Sequence, residues 1–549
     1  MLPNGQRPNF LIILVDEDRY PPPFETQEIR QFRAEQLKGQ NAIRANGVEL
    51  HRHYAAATAC APSRTSLFTG QYPSLHGVTQ TDGVYKQPED PDMFWLLPHD
   101  VPTMGDYFRA AGYRTFYKGK WHVTHADLID PQSGDPLPSV DECGQPIREN
   151  VEAYLAANPL NDYGFAEWVG PEPHGSSKFN TGLHRDADFA RQVLELLDRL
   201  EAEHRAGTAA EPWLLVASFV NPHDIVLFGL LWRSFGFDFA YDTVPEVPNP
   251  PTRHEDLSTK PQAQKSYADK YGAFLLPQPT LPIYRRFYYY LQKAVDAHVA
   301  AVYERLRNSP FSENTVVIFT SDHGDMLGAH GGMHQKWHSA YEEAIHVPLV
   351  IANPILGHGP CSHVLSSHVD LLPTMLGLAG LDAVRLGEIL KRDHTATRPL
   401  VGRDLSPILR GGAMADQPLF FMTDDEISEG QGHRRPRDSG PVVQPNHIET
   451  VLATGPTKNG RGAWKYTRYF DNPDFWTVPN ERDEVQQGQE TVGRTQPLPD
   501  EFELYDLGAD PTEERNLAHP SNSSEESRRI QEEMQDILES QRAAKRLAP

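Results

Sequence analysis

The sequence predicts an α/β protein built on a large, mostly parallel sheet flanked by helices. Three observations carry that reading: strand-length apolar runs recur along the chain, helically spaced patterns lie between them, and several of the runs end in acids or histidine. A strand buried on both faces of a parallel sheet reads as an unbroken apolar run rather than an alternation. Strands alternating with helices build a doubly wound sheet, and such sheets form their sites at the carboxyl ends of the strands.

Taken in order, Arg7-Pro8-Asn9 leads into FLIILVDEDRY, whose apolar residues 10–15 are closed by Asp16 and Glu17. YRTFYK (113–118) runs into GKWH, which holds Lys120 and His122. WLLVASFV (213–220) is followed by NPHD with His223, and TVVIFTS (315–321) by DHGD with Asp322 and His323. Helical spacing appears in MGDYFRAAGY (104–113), DFARQVLELLDRLEAE (188–203) and YYYLQKAVDAHVAAVYERL (288–306). Residues 224–282, 424–447 and 471–500 show little periodicity and read as long surface loops or insertions. Within the first of these, Phe228, Trp232, Phe235, Phe237 and Phe239 could line an aromatic pocket or form a satellite core, and core is expected. Near the end, EFELYDLGADPTEERNLA is a short strand entering a turn. Ile530, Met534, Ile537 and Leu538 then share one helical face, which fits a docking helix, an oligomer contact or a solvated tail.

At 549 residues the chain is too long for one simple core, so a large domain with a smaller companion is expected. A net charge of −24 argues against nucleic acid or an anionic membrane as partner. Any anion must therefore be held by a local basic cluster. Cys60, Cys143 and Cys361 are too few and too widely spaced for a disulfide framework. With no membrane-length apolar run and no secretory leader, the expected location is cytoplasmic.

Asp16, Glu17, Asp322 and His323 supply three carboxylates and an imidazole, a set suited to a divalent cation. One such acid alone would read as a cap or a solvated group; two pairs, each closing an apolar strand, point to a metal. Arg64, Lys120, His122, His223 and Lys336 together offer a small anion several donors. Cys60 opens CAPSRTSLFTG (60–70), where a lone cysteine would ordinarily be a small buried hydrophobe.

That stretch fits the C-x-P-S-R-x-x-x-(L/F)-T-G signature of type I sulfatases. In the expected order stand PNFLIILVDE, GYRTFYKGKWH, the strand before NPHD, TVVIFTSDHGD, a lysine ahead of YEEAIHVPL, SSHVDLLPTMLGLAGL, and ELYDLGADPTEERNLA. Over nearly its whole length the chain resembles the formylglycine-dependent, arylsulfatase-like sulfatases of the alkaline phosphatase superfamily. The resemblance implies an alkaline-phosphatase-like catalytic domain over residues 1–400 and a C-terminal α+β subdomain with a helical tail over 401–549. It implies that a formylglycine-generating enzyme oxidises Cys60, with Pro62 and Arg64 in the recognition motif. The hydrated residue 60 would then bind the metal with Asp16, Glu17, Asp322 and His323. Arg64 would hold the hydrate, Lys120 the sulfate and nucleophile, and His122 would serve the second half of the cycle. His223 and Lys336 would stabilise the sulfate and the leaving oxygen.

Two positions depart from the common pattern: Glu17 stands where many members have aspartate, and His323 where many have asparagine. Imidazole is softer than an amide oxygen, which favours manganese over the calcium usual in the family. A histidine there also occurs in the choline sulfatase and phosphonate monoester hydrolase branches. The implied reaction is hydrolysis of a small sulfate monoester. A phosphonate monoester or phosphodiester hydrolase using the same machinery, and a non-catalytic anion- or metal-binding protein, are the alternatives. A homo-oligomer is compatible with the sequence.

Overall fold

The computed structural model describes residues 7–83, 86–91, 93–173, 177–228, 239–274, 282–354, 356, 362–427, 442–457, 460–475, 484–487, 490–493 and 496–546. The central sheet contains β1 (Asn9–Asp16), β2 (Gly47–Glu49), β3 (Arg114–Gly119), β4 (Trp213–Pro222), β5 (Thr315–Ser321) and β6 (Leu349–Ala352). Their order is β2-β6-β5-β1-β4-β3. Strands β5, β1, β4 and β3 run parallel, whereas β6 is antiparallel to β5 and β2 is antiparallel to β6. The result is the mixed, mostly parallel sheet that the apolar runs predict.

β1 shows why those runs are unbroken. Phe10, Ile12 and Leu14 enter one core while Leu11, Ile13 and Val15 enter another, and all six are 0% exposed. Burying a side chain of this size contributes about 1.5–3 kcal/mol, so both faces must stay apolar. The first core is covered by α1 (Cys60–Thr69), α2 (Met104–Ala110) and, further along the chain, residues 371–379; the second by α3 (Gly182–Ala206) and residues 282–307. α3 buries Phe189, Val193, Leu196, Leu197 and Leu200, a helical stripe, and stops at Gly207 in the left-handed conformation (φ 69°).

The region 224–282 is not loop throughout. It contains α4 (Gln262–Phe274), which buries Ala263, Tyr267 and Tyr271, just before α5 (Pro282–Arg307). The proline- and aromatic-rich surroundings masked this short helix. Phe228 and Phe239 belong to a core with Phe287 and Tyr284, as expected; Trp232, Phe235 and Phe237 lie outside the described residues, as do Cys361 and residues 428–441. The third predicted loop contains a two-stranded hairpin, Glu484–Gln487 paired with Glu490–Gly493, whose polar sequence has no apolar alternation to announce it.

The helix at Leu371–Ala379 is α6. Beyond it lies a second, antiparallel sheet of β7 (Leu419–Thr423), β8 (His447–Thr457), β9 (Gly460–Phe470) and β10 (Glu501–Asp506), ordered β10-β9-β8-β7. The tail, α7 (Glu525–Lys545), lays Ile530, Met534 and Leu538 against Val451, Tyr466 and Leu504. Among the three readings of that tail, it is the docking helix. No helix among the described residues is long and apolar enough to cross a membrane.

Candidate active site

All ten residues singled out in the sequence lie at or just beyond the carboxyl ends of β1, β3, β4 and β5, on α1, or in the 326–341 loop. Asp16 ends β1, and Glu17 takes a left-handed conformation (φ 70°) that lets its N–H donate to Asp322 Oδ1 at 3.0 Å. Asp322 and His323 follow β5, next to β1 in the sheet, so the two acid pairs are neighbours by register, Val15 facing Ser321. Gly119 turns β3 into Lys120 with φ +102°, and a Cβ there would lie 1.8 Å from Ser218 O. Only glycine permits that approach. Lys120 Nζ is thereby placed 2.6 Å from Asp16 Oδ2.

Cys60 is the first residue of α1, and its Sγ lies 3.0 Å from His323 Nε2 and 4.0 Å from Asp16 Oδ1. One turn on, the fully buried Arg64 binds both acid pairs: Nε donates to Asp322 Oδ2 at 2.8 Å and Nη2 to Asp16 Oδ2 at 2.9 Å. Its Nη1 donates to Lys120 O at 2.9 Å and to Ser218 Oγ at 3.0 Å. The guanidinium fork thus fixes β1, β5, β4 and the GKWH turn to α1. Lys336 Nζ reaches Glu17 Oε2 at 3.2 Å, and His223 Nε2 lies 3.8 Å from the same oxygen.

The site's electrostatics follow from depth. Burial alone would raise the Asp16 carboxyl, but the Lys120 and Arg64 cations outweigh it and hold it well below the usual range. Glu17 goes the other way: burial, then the adjacent Asp325, raise it well above the usual value despite Lys336. Burial and Asp16 push the Cys60 thiol up to about 12. Burial takes His223 well below its ordinary value, with Lys120 adding to the effect, and brings His323 to about 4.

A divalent cation fits this donor set. Single ligand atoms of Asp16, Cys60, Asp322 and His323 all lie within 4.8 Å of one another, as do those of Asp16, Glu17 and His223. Glu17 Oε1 is buried without a hydrogen-bond partner among the described residues. His323 Nδ1 is 3.0 Å from Gly324 O, which sets the proton there and leaves Nε2 as a lone pair facing Cys60.

His122 stands apart from the acids. Its Nε2 is 2.5 Å from Asp82 Oδ1, and its N–H, like that of Trp121, donates to Glu172 Oε1. Sequence reasoning missed Asp82 and Glu172, which lie in irregular segments without a pattern. It also missed Asp425, whose Oδ2 accepts from Ala59 N at 3.3 Å and from Trp337 Nε1 at 3.1 Å. Asp425 so ties the start of α1 to the loop carrying Lys336. Asp325 was more accessible, since it closes the DHGD motif; its Oδ2 accepts from Gln335 Nε2 at 3.1 Å.

Fold and site together define a mostly parallel α/β architecture in which acids at the strand ends converge near a buried cysteine. The sulfatase family model matches residues 8–381, well over half of the chain, and the chain belongs to the sulfatase family, hydrolases of sulfate esters. It is 26% identical to the choline-sulfatase of Rhizobium meliloti (strain 1021) over 383 residues, 68% of each chain. Its fold is similar to that of a solved 2-O GAG sulfatase, with TM-score 0.63 and 21% identity over 98% of this chain and 92% of that one. It is also similar to the phosphonate monoester hydrolase of Agrobacterium radiobacter, with TM-score 0.58 and 20% identity over 98% and 96%.

Proposed function

We propose that the protein hydrolyses sulfate monoesters through a hydrated formylglycine made from Cys60, with one divalent cation. The observation that carries this reading is Arg64, fully buried one turn after Cys60 and bonded to both Asp16 and Asp322, which aims residue 60 at the shared acid cluster. Asp16, Glu17, Asp322 and His323 would hold the cation together with residue 60, and manganese is favoured over calcium by the imidazole. When bound, the cation supplies Lewis-acid polarisation of the sulfate and lowers the cost of a negative charge on the nucleophile.

One hydroxyl of the hydrated residue attacks sulfur, forming a Cβ–O–S link as the S–O bond to the alcohol breaks. His223, whose lowered proton affinity leaves its ring uncharged at neutral pH, would pass the proton of the attacking hydroxyl on to the departing oxygen, and Lys336 and Lys120 would compensate the charge on the sulfate oxygens. The second hydroxyl then loses its proton, with His122, paired to Asp82, as the base in this reading. Collapse to the aldehyde breaks the link and frees sulfate, and water restores the hydrate.

A phosphonate monoester hydrolase is the second reading, favoured by His323. Maturation of Cys60 to the aldehyde, which replaces its sulfur by oxygen in a two-electron oxidation, would need a formylglycine-generating enzyme as partner and an external oxidant. Two measurements test the proposal. Peptide mass spectrometry should find the peptide carrying residue 60 lighter than its cysteine form by roughly the mass of one water, the balance of the proposed oxidation. Cys60→Ser, with one hydroxyl and none to expel sulfate, should lose multiple turnover on 4-nitrophenyl sulfate and at best stop as a sulfoserine adduct. Fully active enzyme with only unmodified Cys60 would overturn the mechanism. Faster turnover of a phenyl phosphonate monoester than of the aryl sulfate would select the second reading.

A further inference from the structure

The loop that carries Lys336 also carries a second polar cluster, unused by the reaction above. The turn Pro251–His254 docks on this loop: His330 N donates to Thr252 Oγ1 and Gly331 N to Thr252 O, both at 3.0 Å. That docking sets Arg253 over Gly328. A Cβ built on Gly328, whose φ is +85°, would lie 2.6 Å from Arg253 Nη1 and 3.8 Å from His334 Cε1. The absent side chain leaves the guanidinium and the imidazole bordering the same space.

His334 stacks on Tyr271 (5.4 Å between ring centroids) and meets the edge of Tyr284 (5.1 Å). Arg285 arrives from α5, with its Nε and Nη2 reaching Val247 O at 3.4 and 3.3 Å. Arg253 has no carboxylate within ion-pair distance among the described residues. Among the described residues, His334 Nδ1 and Tyr284 Oη have no hydrogen-bond partner, although the residues are only 7% and 1% exposed. Unpaired buried donors and neighbouring like charges are both unfavourable arrangements. An anionic group placed among them would relieve both.

This cluster borders the catalytic centre on two sides. Gln335, between His334 and Lys336, bonds Lys336 Nζ at 3.2 Å and Asp325 at 3.1 Å. Tyr284 packs edge-on against Phe228 (5.7 Å), five residues beyond His223. The negative charge nearest the cluster, Asp325, is engaged by Gln335 and by Leu327 N. Burial, with Arg253 and Arg285, takes His334 to about 4, so at neutral pH its ring is uncharged and offers one N–H.

We propose that Arg253, His334 and Tyr284 form a subsite for a second anionic group on the substrate, a carboxylate or another sulfate, so that the preferred esters carry two anionic groups. This rests on the sulfatase reading for its connection to turnover, but binding at the subsite does not.

The test uses the full chain and three esters: 4-nitrophenyl sulfate, 4-sulfooxybenzoate and 1,4-phenylene disulfate. Arg253→Gln should lower kcat/KM about tenfold or more on whichever doubly anionic ester the subsite accepts, mainly through KM. On 4-nitrophenyl sulfate it should change it by less than about twofold. The carboxylate and sulfate arms identify the group. Tyr284→Phe should reproduce the selective loss in smaller measure. Equal effects on all three esters, or none on any, would overturn the subsite and leave the cluster as a water site. Calorimetric titration with benzoate separates the two ideas. Binding that Arg253→Gln abolishes, in a protein that turns over none of the esters, would sink the sulfatase reading and keep the subsite.

Discussion

The charge clusters at the strand ends and at the junction with the C-terminal sheet differ in where their polar atoms point. At the strand ends, carboxylates of Asp16 and Asp322 and the Nε2 of His323 converge around Cys60, Glu17 joins Asp16 beside His223, and Glu17 Oε1 is left without a hydrogen bond among the described residues. At the junction with the C-terminal sheet, charges end on one another. Lys465 Nζ lies 2.8 Å from Glu342 Oε1 and 2.9 Å from Glu513 Oε1, and Lys260 Nζ lies 3.1 Å from Glu255 Oε1 and 2.7 Å from Tyr505 Oη. Tyr341 Oη donates to Glu503 in the same cluster. The lesson is that burial and charge do not by themselves mark a site. Convergent donors with spare capacity do, whereas mutually bonded charges hold elements together.

The sharpest way to break that contrast is to remove one convergent donor. Asp322→Asn should abolish turnover, by at least about a thousandfold, and should lose bound divalent cation in elemental analysis, because the remaining acids no longer suffice to hold it. The same change takes an anionic partner from Arg64 Nε. An active, cation-replete Asp322→Asn protein would place Asp322 outside the site.

In the second cluster the expectation reverses. Lys465→Met leaves the buried Glu513 without its cation and the half-buried Glu342 with His346 as its remaining ion-pair partner, and removing one partner of a buried pair costs about 3–5 kcal/mol. Thermal unfolding should shift to lower temperature, while kcat of the folded enzyme on an aryl sulfate stays within about twofold. A fall in kcat without a fall in unfolding temperature would mean that the junction reaches into catalysis.

The contrast also explains what could be read from the sequence. FLIILVDE, GKWH, NPHD and DHGD each put reactive residues directly after a strand-length run, so periodicity and position together located Asp16, Lys120, His223 and Asp322. Fold class followed from the same runs. Lys465, Glu513 and Glu503 carry no such signal, because they sit on alternating strands or in turns where a charge ordinarily faces water, and only the packing of the two sheets buries them. Asp82 and Asp425 were hidden for a related reason: each acts across a long sequence separation, on His122 and on Ala59. Helix α4 was missed because its buried residues, Ala263, Tyr267 and Tyr271, are embedded in a proline-rich stretch.

The smallest effect belongs to His330, an imidazole of the junction whose proton affinity rises. Burial pulls it down, but its hydrogen bond to Glu255 and the charge of Glu343 outweigh burial and the opposing Lys260, bringing it to about 9. Its Nδ1 is 2.9 Å from Glu255 Oε2, its Nε2 3.6 Å from Glu343 Oε2, and its ring lies flat on Tyr341 at 3.5 Å. The folded value stands above the ordinary unfolded value of about 6.5, so the protonated ring stabilises the native state fully below about 6.5. That contribution is lost as pH rises through about 9. It amounts to at most a few kcal/mol, the linkage equivalent of such a shift. Denaturant unfolding of wild type and His330→Gln between about pH 6 and 9.5 should therefore give curves that converge as pH rises, with the wild type more stable at the acid end. Curves that stay parallel would show that His330 is not protonated in the folded protein, and that this part of the junction is held by neutral hydrogen bonds instead of charge.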